Sequence, residues 1–291
     1  MNKVFLIGNG YVCDYISELK DESKEYIGVC RSNKNNFDFN VKLDISKDNE
    51  KIAQLIQDVS QVVYLVPPQQ HGDEDFILMN FMRSVNKNNI SKIVYISTSG
   101  VYGDRNDQLV RETDEVNPNT SRAKRRVNAE KQIKNSSIDY VILRVPGIYG
   151  RGRLPLKRID ERTPLIRKDI CKHTNLIHAK DLSKIILECT NNKNINKQII
   201  NVSDGSPIKT TDYYLHIYDE LNIPYPDFID YSQAEKIYDK KRLSFINESR
   251  ILDTTLMERL FPSIIEFKDI RQGIKDSLKG WLFSLFWIKP W

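Results

Sequence analysis

Short apolar runs separated by amphipathic stretches set the rhythm of the chain. Val4, Phe5, Leu6 and Ile7 make one run long enough for a buried parallel strand. Glycines 8 and 10 then break it, and residues 11–19 resume at helical spacing. The alternation repeats. Residues 25–29 read as a second strand, 41–44 as a third and 61–66 as a fourth, with a helix predicted over about 48–58. A helix over about 73–89 presents Phe76, Ile77, Met79, Phe81, Met82 and Val85 as a core-facing stripe, and residues 92–97 form a fifth strand. Strands alternating with helices over the first two hundred residues predict an α/β fold, a Rossmann-type doubly wound parallel sheet.

Composition narrows the class without identifying it. The 291 residues, 40% of them hydrophobic, suffice for one large domain or two interleaved lobes. The net charge of +5 comes from 44 basic and 39 acidic residues spread along the chain, so no nucleic acid partner is expected. Cysteines 13, 30, 171 and 189 form no C-x-x-C pair, and Met1-Asn2-Lys3 leads straight into a strand, which predicts a reduced, cytoplasmic protein without a signal peptide. The many Asn, Lys and Ile residues read as genome composition rather than chemistry.

The first strand, its glycine turn and the helix beyond it carry the clearest chemistry. Gly8 permits a tight turn, Gly10 leaves room for a phosphate, and the helix N-terminus offers free N–H groups to an anion. Cys13 stands where a third glycine is usual and is small enough for close helix packing. After the second strand, Arg31 and Ser32 suit the 2′-phosphate of NADP, where an acidic residue would favour NAD; the alternative is a surface arginine in a loop. Pro67-Pro68 opens a loop at a strand's carboxyl end, where α/β sheets bind ligands. His71 in that loop faces a nicotinamide or substrate, or is simply solvated.

The fifth strand runs directly into Thr98-Ser99-Gly100-Val101-Tyr102-Gly103. Further on come Glu130, Leu143-Arg144-Val145-Pro146-Gly147-Ile148-Tyr149-Gly150, Leu176-Ile177-His178-Ala179-Lys180-Asp181-Leu182 and Ile200-Asn201-Val202-Ser203-Asp204-Gly205. In these motifs and their order the chain resembles the extended short-chain dehydrogenases/reductases of the NAD-dependent epimerase/dehydratase type, and in particular their atypical relatives. The likeness spans residues 4–206, and residues 241–278 resemble the end of the atypical members. It implies a nucleotide domain over 1–145, regained at about 175–203, and a discontinuous substrate lobe over 146–174 and 204–278. Implied cofactor contacts are Gly8, Asn9, Gly10, Tyr11, Val12, Arg31, Ser32, Asp44 near the adenine, Val66, Pro67 and Pro146. His71, Tyr149, Arg151 and Arg153 are the substrate candidates.

The resemblance also implies a catalytic Ser or Thr, supplied by Thr98, and a Tyr and Lys four residues apart on the next helix. Counting back from Glu130 puts Arg122 at the tyrosine position and Arg126 at the lysine position, and the segment NPNTSRAKRRVNAE contains no tyrosine. A guanidinium stays protonated and only donates, so it cannot shuttle the proton a phenol would. Arg122 and Arg126 share a helix face and, with Arg151 and Arg153, either bind a phosphate or carboxylate or form a solvated face with Arg126 beside Glu130. If catalysis survives, Tyr102, Tyr149, His71 and His178 are the remaining proton donors. Cys171, His173 and His178 lack the second donor pair of a structural zinc site, so no metal is expected.

Residues 279–291 form an apolar, aromatic tail far shorter than the roughly 20 residues that span a bilayer. It packs on the protein or on a second copy, or docks its tryptophans on a membrane surface. Two functions stay open. One is an NADP(H)- or NAD(H)-dependent oxidoreductase or epimerase/dehydratase-like enzyme acting on an anionic small molecule such as a nucleotide sugar. The other is a cofactor-binding sensor or scaffold that has lost its chemistry.

Overall fold

The computed structural model describes residues 3–85 and 90–285. The sequence expectations for the end of the helix near residue 89 and for residues 286–291 lie outside them. Seven parallel strands form the central sheet: β1 (Lys3–Ile7), β2 (Glu25–Cys30), β3 (Phe39–Lys42), β4 (Gln61–Tyr64), β5 (Lys92–Thr98), then Asp139–Val145 and Gln198–Asn201. Their spatial order is Gln198–Asn201, Asp139–Val145, β5, β4, β1, β2, β3. Sequence order reverses between β1 and β4, the crevice where doubly wound sheets take dinucleotides.

Alternation along β1 splits the core between the two faces of the sheet. Val4 and Leu6 pack with helix α1 (Tyr11–Leu19) and helix Ala179–Asn191, whereas Phe5 and Ile7 join the core under α2 (Asn49–Leu55) and α3 (Phe76–Val85). All four side chains are fully buried. The third strand lies two residues earlier than its sequence pattern predicts. Val41 pairs with Val29 inside it, and Asp44 falls in the following turn, where its carboxylate accepts from the Ser46 N–H and hydroxyl at 3.1 and 2.7 Å. Asp44 is a short-range turn former, and that local bond ends the strand.

A second core gathers Tyr149, Leu154, Ile159, Tyr213, Ile217 and Ile274 from segments that leave the sheet after residue 145 and after residue 201. Strand Leu165–Ile166 pairs there with Phe228–Ile229. On the first lobe, a buried network ties the helix residue Glu130 and the turn residue Tyr102 to the sheet. Arg144 donates to both Glu130 oxygens at 3.2 and 2.8 Å and to the Tyr102 hydroxyl at 2.9 Å, and Tyr102 donates to Asn201 at 2.7 Å. Ser97 completes the set with a 2.5 Å bond to Glu130. Glu130 is thus committed to Arg144 and Ser97, not to Arg126. No described helix is long and apolar enough to cross a membrane.

Candidate active site

The glycine turn is built by backbone bonds. Gly8 and Asn9 both donate to the Val29 carbonyl at 2.9 Å, and Gly8 sits at φ +91°, a conformation glycine adopts without strain. A Cβ on Gly8 would lie 2.9 Å from the Val66 amide nitrogen, so the turn lies against the chain just beyond β4 with no room for a side chain. A Cβ on Gly10 would meet nothing nearer than 3.6 Å. That open side faces the first turn of α1, whose N-terminus carries no side-chain cap. The cradle fits a pyrophosphate: free helix N–H groups, partial positive charge and space left by a missing side chain.

Asn9 at the turn's centre is 2% exposed and locked by side-chain bonds to Asn36 at 2.8 Å and Asn40 at 3.1 Å. Gly28 makes room for it, since a Cβ there would lie 2.5 Å from the Asn9 amide nitrogen. Lys34 reaches the same mouth, bonding the Gly10 carbonyl at 3.4 Å and Asp14 at 2.6 Å. Sequence reasoning missed Gly28, Lys34, Asn36 and Asn40. The last three lie in NKNNFDFN, residues 33–40, a run to which the sequence pattern gives no role and which the fold brings back over the turn. Arg31 and Ser32 stand exposed at the end of β2 on this side. Across the crevice Val66 is half-buried and Pro67 exposed, and Pro146 is half-buried after strand Asp139–Val145.

Thr98 closes β5. Its hydroxyl oxygen accepts the Gly100 N–H at 3.2 Å, capping the 3-10 turn Ser99–Tyr102 and leaving its own proton to donate. Helix α4 (Ser121–Lys134) begins opposite, with Ala123 within 3.9 Å of where a Gly100 Cβ would be. Arg126 turns from solvent onto the ends of β4 and β5, donating to the Tyr95 hydroxyl at 2.8 Å and the Val66 carbonyl at 3.4 Å. Burial pushes the Tyr95 phenol up to about 12, with Arg126 partly opposing it. Arg122 lies flat on Phe245 of the second lobe at 4.4 Å. The two arginines therefore diverge and do not form one joint anion clamp.

Several sequence candidates change place. Tyr102 is fully buried with its hydroxyl engaged by Arg144 and Asn201, and burial raises its phenol to about 12, so it serves packing and not proton transfer. Tyr149 is 1% exposed, turned into the second core against His178 and Tyr213, and so does not face a cleft. His178 is fully buried, caps helix Ala179–Asn191 through Nδ1, and is pushed down to about 4 by burial, which keeps it neutral. Arg151 is bound to both Glu18 oxygens at 2.6 Å. Arg153 stacks 4.2 Å over Tyr11, the first residue of α1, and so flanks the phosphate cradle. His71 is exposed in its loop. Among the described residues no group of three His, Cys, Asp or Glu side chains could hold a metal.

A family model described as NAD(P)H-binding matches residues 31–193, more than half of the chain. A search of curated proteins gives no match. Solved structures of similar fold include a conserved protein of unknown function from Silicibacter pomeroyi, at 19% identity and TM-score 0.78, over 96% of this chain and 99% of that one. UDP-glucuronic acid 4-epimerase from Bacillus cereus, solved with NAD, is similar at 16% identity and TM-score 0.78, over 98% and 99%. UDP-N-acetylglucosamine 4-epimerase from Methanobrevibacter ruminantium, solved with UDP-N-acetylmuramic acid, matches at 16% identity and TM-score 0.76, over 98% of each. The matched family segment begins after the glycine turn, so the sheet order and the cradle support the turn independently. The chain belongs to the NAD(P)H-binding family and has the Rossmann-type fold of the extended short-chain dehydrogenases/reductases.

Proposed function

We propose that the protein binds NADP(H) in preference to NAD(H) and acts as an oxidoreductase or epimerase/dehydratase-like enzyme on a small anionic molecule, in the chemical class of nucleotide sugars. The observation that carries this reading is the uncapped N-terminus of α1 behind the open side of Gly10. Three groups favour the 2′-phosphate: Arg31, Ser32 and Lys34 cluster by sequence after β2, and Lys34 bonds the Gly10 carbonyl itself. The bound nicotinamide would supply or accept hydride. This chain's residues would do the rest. Thr98 donates its free hydroxyl proton to the substrate oxygen, and Arg126 braces the strand ends from the position of the missing lysine. Residues 146–174 and 204–278 serve as the substrate lobe. Four free cysteines accord with a cytoplasmic setting.

The second reading is a cofactor-binding sensor without catalysis. It is favoured by the absence of a phenol at position 122 and by the contact of Arg122 with Phe245, which takes the guanidinium toward the second lobe. Calorimetric titration with NADPH and NADH on Arg31→Ala tests the cofactor preference. NADPH affinity is expected to fall about tenfold, the loss of one charge-assisted contact, while NADH affinity stays unchanged. An equal loss for both cofactors, or none, contradicts the assignment of Arg31 to the 2′-phosphate. Hydride transfer from NADPH to sugar nucleotides or carbonyl compounds then separates enzyme from sensor.

A further inference from the structure

We propose that the C-terminal part of the chain docks on an anionic lipid bilayer, with helix Ile270–Leu285 bringing a basic row and an aromatic end to the membrane surface. The first half of this helix is amphipathic. Ile270, Ile274 and Leu278 are buried in the second core, and Gly273 is the notch that receives the Tyr149 ring, since a Cβ there would collide with the Tyr149 hydroxyl. That seat fixes the helix on the second lobe and leaves Arg271, Lys275 and Lys279, spaced four residues apart, as an exposed row. Arg271 donates through Nε to His216 at 3.4 Å, Lys275 lies 3.9 Å from Glu220, and Lys279 lies 3.0 Å from Asp276. The two lysine side chains are still 69% and 72% exposed. Exposed pairs of this kind contribute little, so the cations can turn to a stronger anionic surface.

From residue 280 the sequence pattern changes. In GWLFSLFWIKPW, residues 280–291, every position from Trp281 to Ile288 is apolar except Ser284, so helical spacing leaves no polar row. A groove in a protein takes one apolar stripe of a helix, whereas a segment apolar all round calls for an enclosing apolar medium. Even fully helical, such a segment reaches about 18 Å, well under the roughly 30 Å of bilayer hydrocarbon, so it suits the interface and not a crossing. The residue types match that depth. The chain's three tryptophans, Trp281, Trp287 and Trp291, all fall here, and Lys279 and Lys289 flank the apolar run. Indole rings and lysine stems are groups that settle at headgroup level. Charge selects the partner. Lys268, Arg271, Lys275, Lys279 and Lys289 stand against Asp269 and Asp276, five cations to two anions over residues 268–291. A second copy of the chain would bring the same positive row and repel it, while an anionic lipid surface complements it.

Because every tryptophan lies in this segment, the fluorescence of the intact protein reports on it alone. The full chain is titrated with vesicles of phosphatidylcholine, with and without one quarter phosphatidylglycerol, and with brominated acyl chains as quencher. Anionic vesicles are expected to shift the emission to the blue, brominated chains to quench it, and added salt to weaken the binding. The triple variant Arg271→Gln, Lys275→Gln, Lys279→Gln should partition into anionic vesicles about tenfold or more less strongly, with its circular dichroism unchanged. Phe283→Asp combined with Phe286→Asp should lose the binding to both kinds of vesicle. Emission that brominated anionic vesicles leave unquenched in wild type, or equal partition of wild type and the folded triple variant, overturns the proposal. In the first case sedimentation equilibrium without lipid identifies what holds the segment instead: a dimer assigns it to a second copy, a monomer to its own fold.

Discussion

Arg126, which the family resemblance puts at the position of a lysine, donates to the Tyr95 hydroxyl and the Val66 carbonyl and so braces the two. Other single residues show burial deciding protonation. Asp204 is 5% exposed, and burial raises its carboxyl to about 7 despite the bond it accepts from the Ser206 N–H. His178 moves the opposite way, down to about 4. The folded protein keeps the Asp204 proton that the unfolded chain loses above about pH 4, so this term's stability falls as pH rises toward 7. His178 stays neutral when folded while the unfolded chain protonates below about 6.5, so its term falls as pH drops toward 4. Across pH 4 to 6.5 these two slopes oppose, each about 1.4 kcal/mol per pH unit, so the two terms nearly cancel there. Asp204→Asn removes one slope. Urea midpoints at pH 4.5, 6 and 7.5 should show the variant stabilised at pH 7.5 and losing stability in acid; a pH profile parallel to wild type contradicts this account. The motif containing Asp204 was visible in the sequence. Its environment was not, because burial of a carboxylate depends on segments far away in the chain.

At the scale of elements, the strands and helices of the sheet were legible wherever an apolar run was fully buried, as in β1, β4 and β5. Legibility failed at β3, whose half-exposed Phe39–Lys42 carries no such run, and the turn propensity of Asp44 was read as strand. The pin between α4 and strand Asp139–Val145 was legible only as the motif residues Glu130 and Arg144. The structure adds the reason for their spacing: the two meet as a buried pair at 2.8 Å. Glu130→Ala leaves Arg144 buried with only neutral partners and should cost about 3–5 kcal/mol of folding stability, measured by denaturant unfolding. A loss under about 1 kcal/mol would mean that the pair does not hold α4 in place. The loop of Tyr149 illustrates the converse. Its motif suggested a cleft residue, but packing against His178 and Tyr213 turned the ring inward, a choice that local pattern does not encode.

For the whole molecule, the sequence carried the fold class through strand–helix alternation, and carried half of the cofactor cradle through Gly8 and Gly10. The other half came from the return of β2 and β3, which sets Lys34, Asn36 and Asn40 over the turn. The second lobe was least legible. Its short strands and helices hold together by long-range contacts that leave no local pattern. The proposed function requires the glycine cradle to receive a dinucleotide, and Gly10 offers a clean test. Its φ is −114° and a Cβ there would touch nothing closer than 3.6 Å, so Gly10→Val should fold while filling the phosphate space. The decisive measurement is calorimetric titration of wild type and Gly10→Val with NADPH, with circular dichroism confirming that both are folded. Saturable binding by wild type and at least a hundredfold loss in Gly10→Val, about 2.7 kcal/mol, is the predicted result. No binding by wild type in the millimolar range, or equal binding by both proteins, contradicts it.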